Sequence, residues 1–199
     1  MNRVFSFGGI VASLILIAVG VGAIIIGSVG RSDVTQQIEQ EQITGSPDMS
    51  PDGIRPGIEE ADLDVDVPTC DVADERIDSG SEAKCFAEYL RIHALEGTGG
   101  RVYSEMGQFL TKSGEETSDE AEAAKDPETG RPVPNAARNV WVTATALSTA
   151  LNTSYFAQQV ALFSIVMGIA LLLTGLGFLV LTVGTRQAGG ARSAFARSR

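Results

Sequence analysis

No residue between Arg3 and Arg31 carries a charge and none between Arg138 and Arg186 does, whereas all 25 acidic residues lie from Asp33 to Glu128. A chain sorted into apolar, acidic and apolar thirds is not built around one water-soluble core. Its layout is that of a two-span membrane protein. The first stretch, 4–30, would reach about 40 Å as a helix, more than the roughly 30 Å hydrocarbon thickness of a bilayer, so it can cross with tilt. The second, 156–183, is of similar length and more strongly apolar, with VALFSIVMGIALLLTGLGFLVLTV at its centre.

Lys and Arg near span ends set orientation, and acidic residues contribute little. Arg3, Arg186, Arg192, Arg197 and Arg199 stand on one side, and only Arg31 and Arg138 stand near the spans on the other. The expected location is the plasma membrane, with both termini cytoplasmic and residues 31–155 outside. A cleaved signal peptide is the rival reading of the first stretch. Its apolar run is nearly twice the usual 7–15 residues, and an A-x-A ending is missing.

Cys70 and Cys85 are the only cysteines, and both fall in the exported segment. An oxidising compartment favours a disulfide between them. A zinc site would need a second Cys or His pair, which the chain lacks. Residues 31–66 are rich in Gln, Glu, Asp, Pro and Gly, with few large apolar residues to offset ordering, and read as an acidic tether. ADLDVDVPTC alternates Leu63, Val65 and Val67 with Asp62, Asp64 and Asp66, the period of a half-buried strand. A calcium loop starting at Asp62 would want Gly and Glu where Val67 and Ala73 stand.

SEAKCFAEYLRIHAL, 81–95, reads as a helix capped by Ser81 and stopped by the GTGG turn at 97–100. RVYSEMGQFL reads as a second helix, with Val102, Met106 and Phe109 or Leu110 on one stripe. GTGG lacks the third glycine and the preceding strand of a dinucleotide-binding loop. The following TKSGEETSDEAEAAKDPETGRPVPN reads as solvated and turn-rich. Asn135 then suits the N-cap of an amphipathic helix, 136–152, leading toward the second span either as one rod or with a kink at Asn152–Ser154. Trp141 and Tyr155 suit a membrane interface.

Neither span holds an ionisable residue, which argues against proton relays and transport pathways. The spans hold small residues instead. Ala23 and Gly27 form one small-xxx-small pair, and Ser164, Gly168 and Gly175 share a face of the second span, so both sets are candidate helix-packing positions.

GRVYSEMGQFL, and more fully DPETGRPVPNAARNVWVTATALSTALNTSYFAQQVALFSIVMGIALLLTGLGFLV, resemble a family of small two-span membrane proteins of actinobacteria that often carries the label aromatic ring-opening dioxygenase. The resemblance covers about the second half of the chain and implies no catalytic residues. The dioxygenase label fits poorly, because such iron sites need two His and a carboxylate and His93 is the only histidine.

The fold expected is therefore mainly α, an integral membrane protein with a two-helix transmembrane hairpin and a small, mostly helical, disulfide-stapled extracytoplasmic domain. Its parts are a cytoplasmic N-terminus 1–3, spans 4–30 and 156–183, a tether 31–66, a helical domain 67–155 and a basic tail 184–199. No catalytic, cofactor-binding or metal-ligating residue and no cofactor is expected. The partners expected are membrane lipids and a membrane protein or a further copy of the chain. Nucleic acid is not expected, because phosphate needs a basic patch, and neither is a small-molecule substrate. A structural or accessory role leads. A sensor acting through another protein and a homo-oligomeric pore with Ser13, Ser164 and Thr174 in its lining are the alternatives.

Overall fold

The computed structural model describes residues 2–197, with side-chain surroundings given over 7–184. Met1, Ser198 and Arg199 lie outside the described residues, as do the side chains of Arg3, Arg186, Arg192 and Arg197, so the expected basic ends are outside it. The chain is mainly helical. In order it forms α1 (Asn2–Gln40), α2 (Arg55–Glu60), α3 (Gly80–Thr98), a 3-10 turn at Tyr103–Glu105, β1 (Phe109–Leu110), β2 (Glu116–Thr117) and α4 (Ala136–Arg197). Two compact units result, one of Met1–Asp33 with Ala157–Arg199 and one of Val34–Phe156.

In the first unit α1 and α4 both contribute segments long and apolar enough to cross a membrane. Most of their large side chains face outward. Ile26 is 71% exposed and Val180 70%, and large uncovered apolar surface is the mark of an interaction or membrane-facing site.

The second unit has a true core. Ile38, Met49, Ile54, Ile58, Val72, Ile77, Phe86, Tyr89, Ile92 and Leu151 are buried together, with Val34, Ile43, Leu63, Val65 and Val67 packed against them. Residues 31–66 are thus not the expected tether. They supply Ile38, Met49, Ile54 and Ile58 to the core, and the unit begins at Val34 rather than 67. The segment is tied down by backbone bonds to later chain: Gly45 N to Glu75 O at 2.9 Å, Val72 N to Met49 O at 3.0 Å and Ile77 N to Ile43 O at 3.0 Å. Four well-spaced apolar residues are enough when long-range partners cover them.

The cap of α3 lies two residues earlier than its sequence pattern suggests. Ser79, not Ser81, is the N-cap: its hydroxyl accepts from Glu82 N at 3.3 Å, while the Glu82 carboxylate accepts from Ser79 N at 3.0 Å and Asp78 N at 2.9 Å. This reciprocal pair is a capping box. Gly99, at φ 63°, closes the other end in the left-handed region, where a side chain would be strained.

Two expected elements do not form. ADLDVDVPTC has no strand partner, although its burial does alternate, with Leu63, Val65 and Val67 turned inward and the three aspartates exposed. The periodicity reports a half-buried extended segment, not a sheet. RVYSEMGQFL is not a helix either. Met106 is buried as the stripe required, but Gly107 lies against Glu116 and Thr117, where a Cβ would stand 2.7 Å from Thr117 N.

Phe109 and Leu110 pair antiparallel with Thr117 and Glu116. Bridges Thr111 to Ala123, Lys125 to Pro132 and Phe109 to Pro134 extend this into a small curl over a segment expected to be solvated turns. Its tips fall at Gly114 (φ 85°) and Gly130 (φ 68°). At the second, Asp126 accepts from Thr129 N at 2.7 Å and Glu128 N at 3.1 Å.

Asn135 caps α4 as expected, its side chain accepting from Ala137 N at 3.1 Å and donating to Gly107 O at 3.0 Å. The helix assignment continues unbroken through Asn152–Ser154. Thr153 and Ser154 turn their hydroxyls onto the carbonyls of Thr149 and Ala150.

Candidate functional site

The disulfide joins Cys70 to Cys85, with Cα atoms 6.0 Å apart. It pins the extended segment ahead of it to the first turns of α3. Tyr89, one turn further on, is fully buried and donates its hydroxyl to Cys70 O at 2.6 Å. Burial, with Asp71 and Glu88 nearby, raises the Tyr89 phenol above its ordinary pKa, so the donor stays protonated.

Within the apolar unit, α1 and α4 run antiparallel and meet along small residues. A Cβ on Gly20 would lie 2.7 Å from Gly168 O, and one on Gly168 would lie 2.6 Å from Gly20 O. A Cβ on Gly27 would lie 2.6 Å from Ala161 O, and one on Gly175 would lie 3.0 Å from Ser13 O. The contacts therefore recur every seven residues on both helices: Ser13, Gly20 and Gly27 opposite Gly175, Gly168 and Ala161. Ser13 is fully buried and donates its hydroxyl to Gly9 O at 2.7 Å, so it places no unsatisfied polar group in the seam.

Of the expected packing positions, Gly27, Gly168 and Gly175 are in the seam. Ala23 is half-buried beside it, and Ser164 is half-buried with its hydroxyl on Val160 O at 2.9 Å. Ser13, Gly20 and Ala161 were missed as packing residues. The seven-residue spacing of Gly168 and Gly175 is visible within one helix, but its match to Ser13, Gly20 and Gly27 becomes visible only when two antiparallel helices are aligned.

Trp141 is not an interface anchor. It is buried with Ala94, Leu95, Met106 and Ala144, and its ring is covered by the Arg91 guanidinium at 5.2 Å. Tyr155 is half-buried, with the Lys84 ammonium 5.2 Å from its ring. A shallow groove of about 240 Å³ between α3 and α4 is lined by Ala87, Arg91, Trp141, Thr145 and Asn152.

One Ser, one Asp and the sole His do come together. Ser46 donates to one Asp48 oxygen at 2.6 Å, and His93 Nε2 donates to the other at 2.9 Å. The order differs from that of a nucleophilic triad, in which the histidine stands between serine and carboxylate to take the serine proton. Here Asp48 occupies the middle, and the Ser46 hydroxyl donates to the carboxylate rather than to the histidine. Desolvation raises the Asp48 pKa, but the bonds from Ser46 and His93 outweigh it and hold the carboxyl below its ordinary value. The cluster ties the 46–49 turn, with buried Met49, to α3.

The Glu116 carboxyl is held lower, at about 2, by Arg101, 2.9 Å away, and by Gly107 N. It joins the curl to the segment after α3. Among the described residues no group of three or more His, Cys, Asp or Glu is placed to hold a metal ion.

Comparison with protein-family models, with curated proteins and with solved structures found no match.

Proposed function

We propose that the chain is a non-enzymatic accessory protein of the plasma membrane. In this reading α1 and α4 form a transmembrane hairpin, both termini lie in the cytoplasm, and the acidic, disulfide-bonded unit works outside as a contact surface for a membrane-complex or cell-envelope partner. The small-residue seam is the observation that carries it. Six positions at heptad spacing bring two apolar helices to backbone contact, while the surrounding large side chains remain uncovered. Lipid is the medium that suits such a surface, and close small-residue contact is how helices associate there.

The side-chain chemistry supports binding over catalysis. Asp48 separates Ser46 from His93, and Glu116 is committed to Arg101. A pore lined by hydroxyls is less well supported, because Ser13 is buried in the seam and Ser164 and Thr174 bond to their own helix at 2.9 and 2.7 Å.

Carbonate extraction of native membranes, followed by crosslinking of the intact chain in mild detergent, tests the reading. The chain should stay in the pellet and be recovered in a complex larger than one copy. Release into the carbonate supernatant would overturn the anchor, and a lone monomer would overturn the accessory role.

A further inference from the structure

The part of α4 inside the acidic unit, 136–156, is uncharged from Asn139 onward. Over 139–153 one side of α4 packs into its own unit through Trp141, Ala144 and Leu151. The other side presents Val140, Val142, Thr143, Ala146, Leu147 and Ala150, all exposed.

The neighbouring hydroxyls do little to make that side polar. Thr149 and Thr153 donate back to the carbonyls of Thr145 and Thr149 at 2.8 and 2.7 Å. A groove of about 440 Å³ runs along the face, walled by Leu90, Val140, Thr143 and Leu147.

We propose that this face is where two copies of the chain meet in one membrane. The inference rests on the accessory-protein reading and names its partner. Residues 34–156 carry 24 acidic and nine basic side chains, and every acid precedes Asn135. Two such units repel unless they approach where neither carries charge. A basic partner would be drawn to the acids and gain nothing from an uncharged helix, whereas a second copy needs this one.

Copies inserted the same way share a two-fold axis along the membrane normal. The axis brings the face against its own counterpart, with the same residues on both sides. Ala146 and Ala150 permit close approach, and Val140 and Leu147 offer side chains to the partner's groove. A face of about 22 Å is short for a dimer in free solution. Confinement to one membrane supplies the missing effective concentration.

The full chain, carrying the photocrosslinker p-benzoylphenylalanine at position 146, should give on irradiation in native membranes an adduct of twice the monomer mass. The same probe at position 113, on the exposed curl, should give none. Thr143→Glu should cut the adduct at least tenfold, while Thr143→Val keeps it, with thermal unfolding of both variants confirming a folded unit. No adduct at 146, an adduct of any other mass, equal yield at 113, or insensitivity to Thr143→Glu would overturn the contact. A chain that resists carbonate yet gives no dimer overturns this contact alone, whereas a chain released by carbonate overturns the reading beneath it.

Discussion

Gly20 and Gly168 each stand where the other's carbonyl oxygen would lie within 2.7 Å of an added Cβ. Neither position admits even alanine without the helices moving apart. Gly22 and Gly177, by contrast, have open space where a Cβ would go. Gly168→Leu should therefore weaken the hairpin by about 1–3 kcal/mol, the usual cost of overpacking, and Gly177→Leu should be near neutral. Paired crosslinking of α1 to α4 in membranes, with and without each substitution, reads the difference.

Removing the disulfide should cost more than any single hydrogen bond in the acidic unit. The bridge spans a separation of 15 residues, for which chain entropy predicts about 3 kcal/mol. Cys70→Ser with Cys85→Ser should lower the unfolding midpoint accordingly, and reduction of the native chain should do the same. Tyr89→Phe, which removes only the bond to Cys70 O, should cost about 1 kcal/mol.

Ser79→Ala should destabilise α3 by about 1 kcal/mol through loss of the cap, while Ser81→Ala should change little. Chemical denaturation of the two variants checks which serine begins the helix.

Acid should remove two specific contributions. Both Asp48 and Glu116 have depressed folded pKa values, so the stability each adds is present above the unfolded carboxyl pKa of about 4 and is lost as pH falls through the folded value. For Glu116 that loss runs down to about 2. The Arg101 partner is 43% exposed, so solvent screening keeps the contribution modest. Melting temperature measured against pH should fall less steeply below pH 4 in Glu116→Gln than in the native chain.

Several features were legible because their cause is local. The two apolar helices follow from uncharged runs, α3 and the Asn135 cap from helical spacing and side-chain chemistry, and the Cys70 to Cys85 bridge from there being only two cysteines. What could not be read was non-local. Ile38, Met49, Ile54 and Ile58 look too sparse to form a core until Val72, Ile77 and Tyr89 arrive from later in the chain. Val102, Met106 and Phe109 have helical spacing, yet Gly107 is needed by β2 for close approach, and pairing with 116–117 replaced the helix. Trp141 has the place of an interface residue, ahead of the second long apolar run, and it is instead a core residue under Arg91. In the seam, Gly20 and Ala161 acquire meaning only opposite Gly168 and Gly27.

The central claim is a hairpin that leaves the acidic unit outside. It is tested most directly by labelling intact cells with a membrane-impermeant maleimide, using chains that carry Ser113→Cys or Ser193→Cys. Position 113 should be labelled in intact cells and position 193 only after permeabilisation. Labelling at 193 in intact cells, or protection of 113, would contradict it.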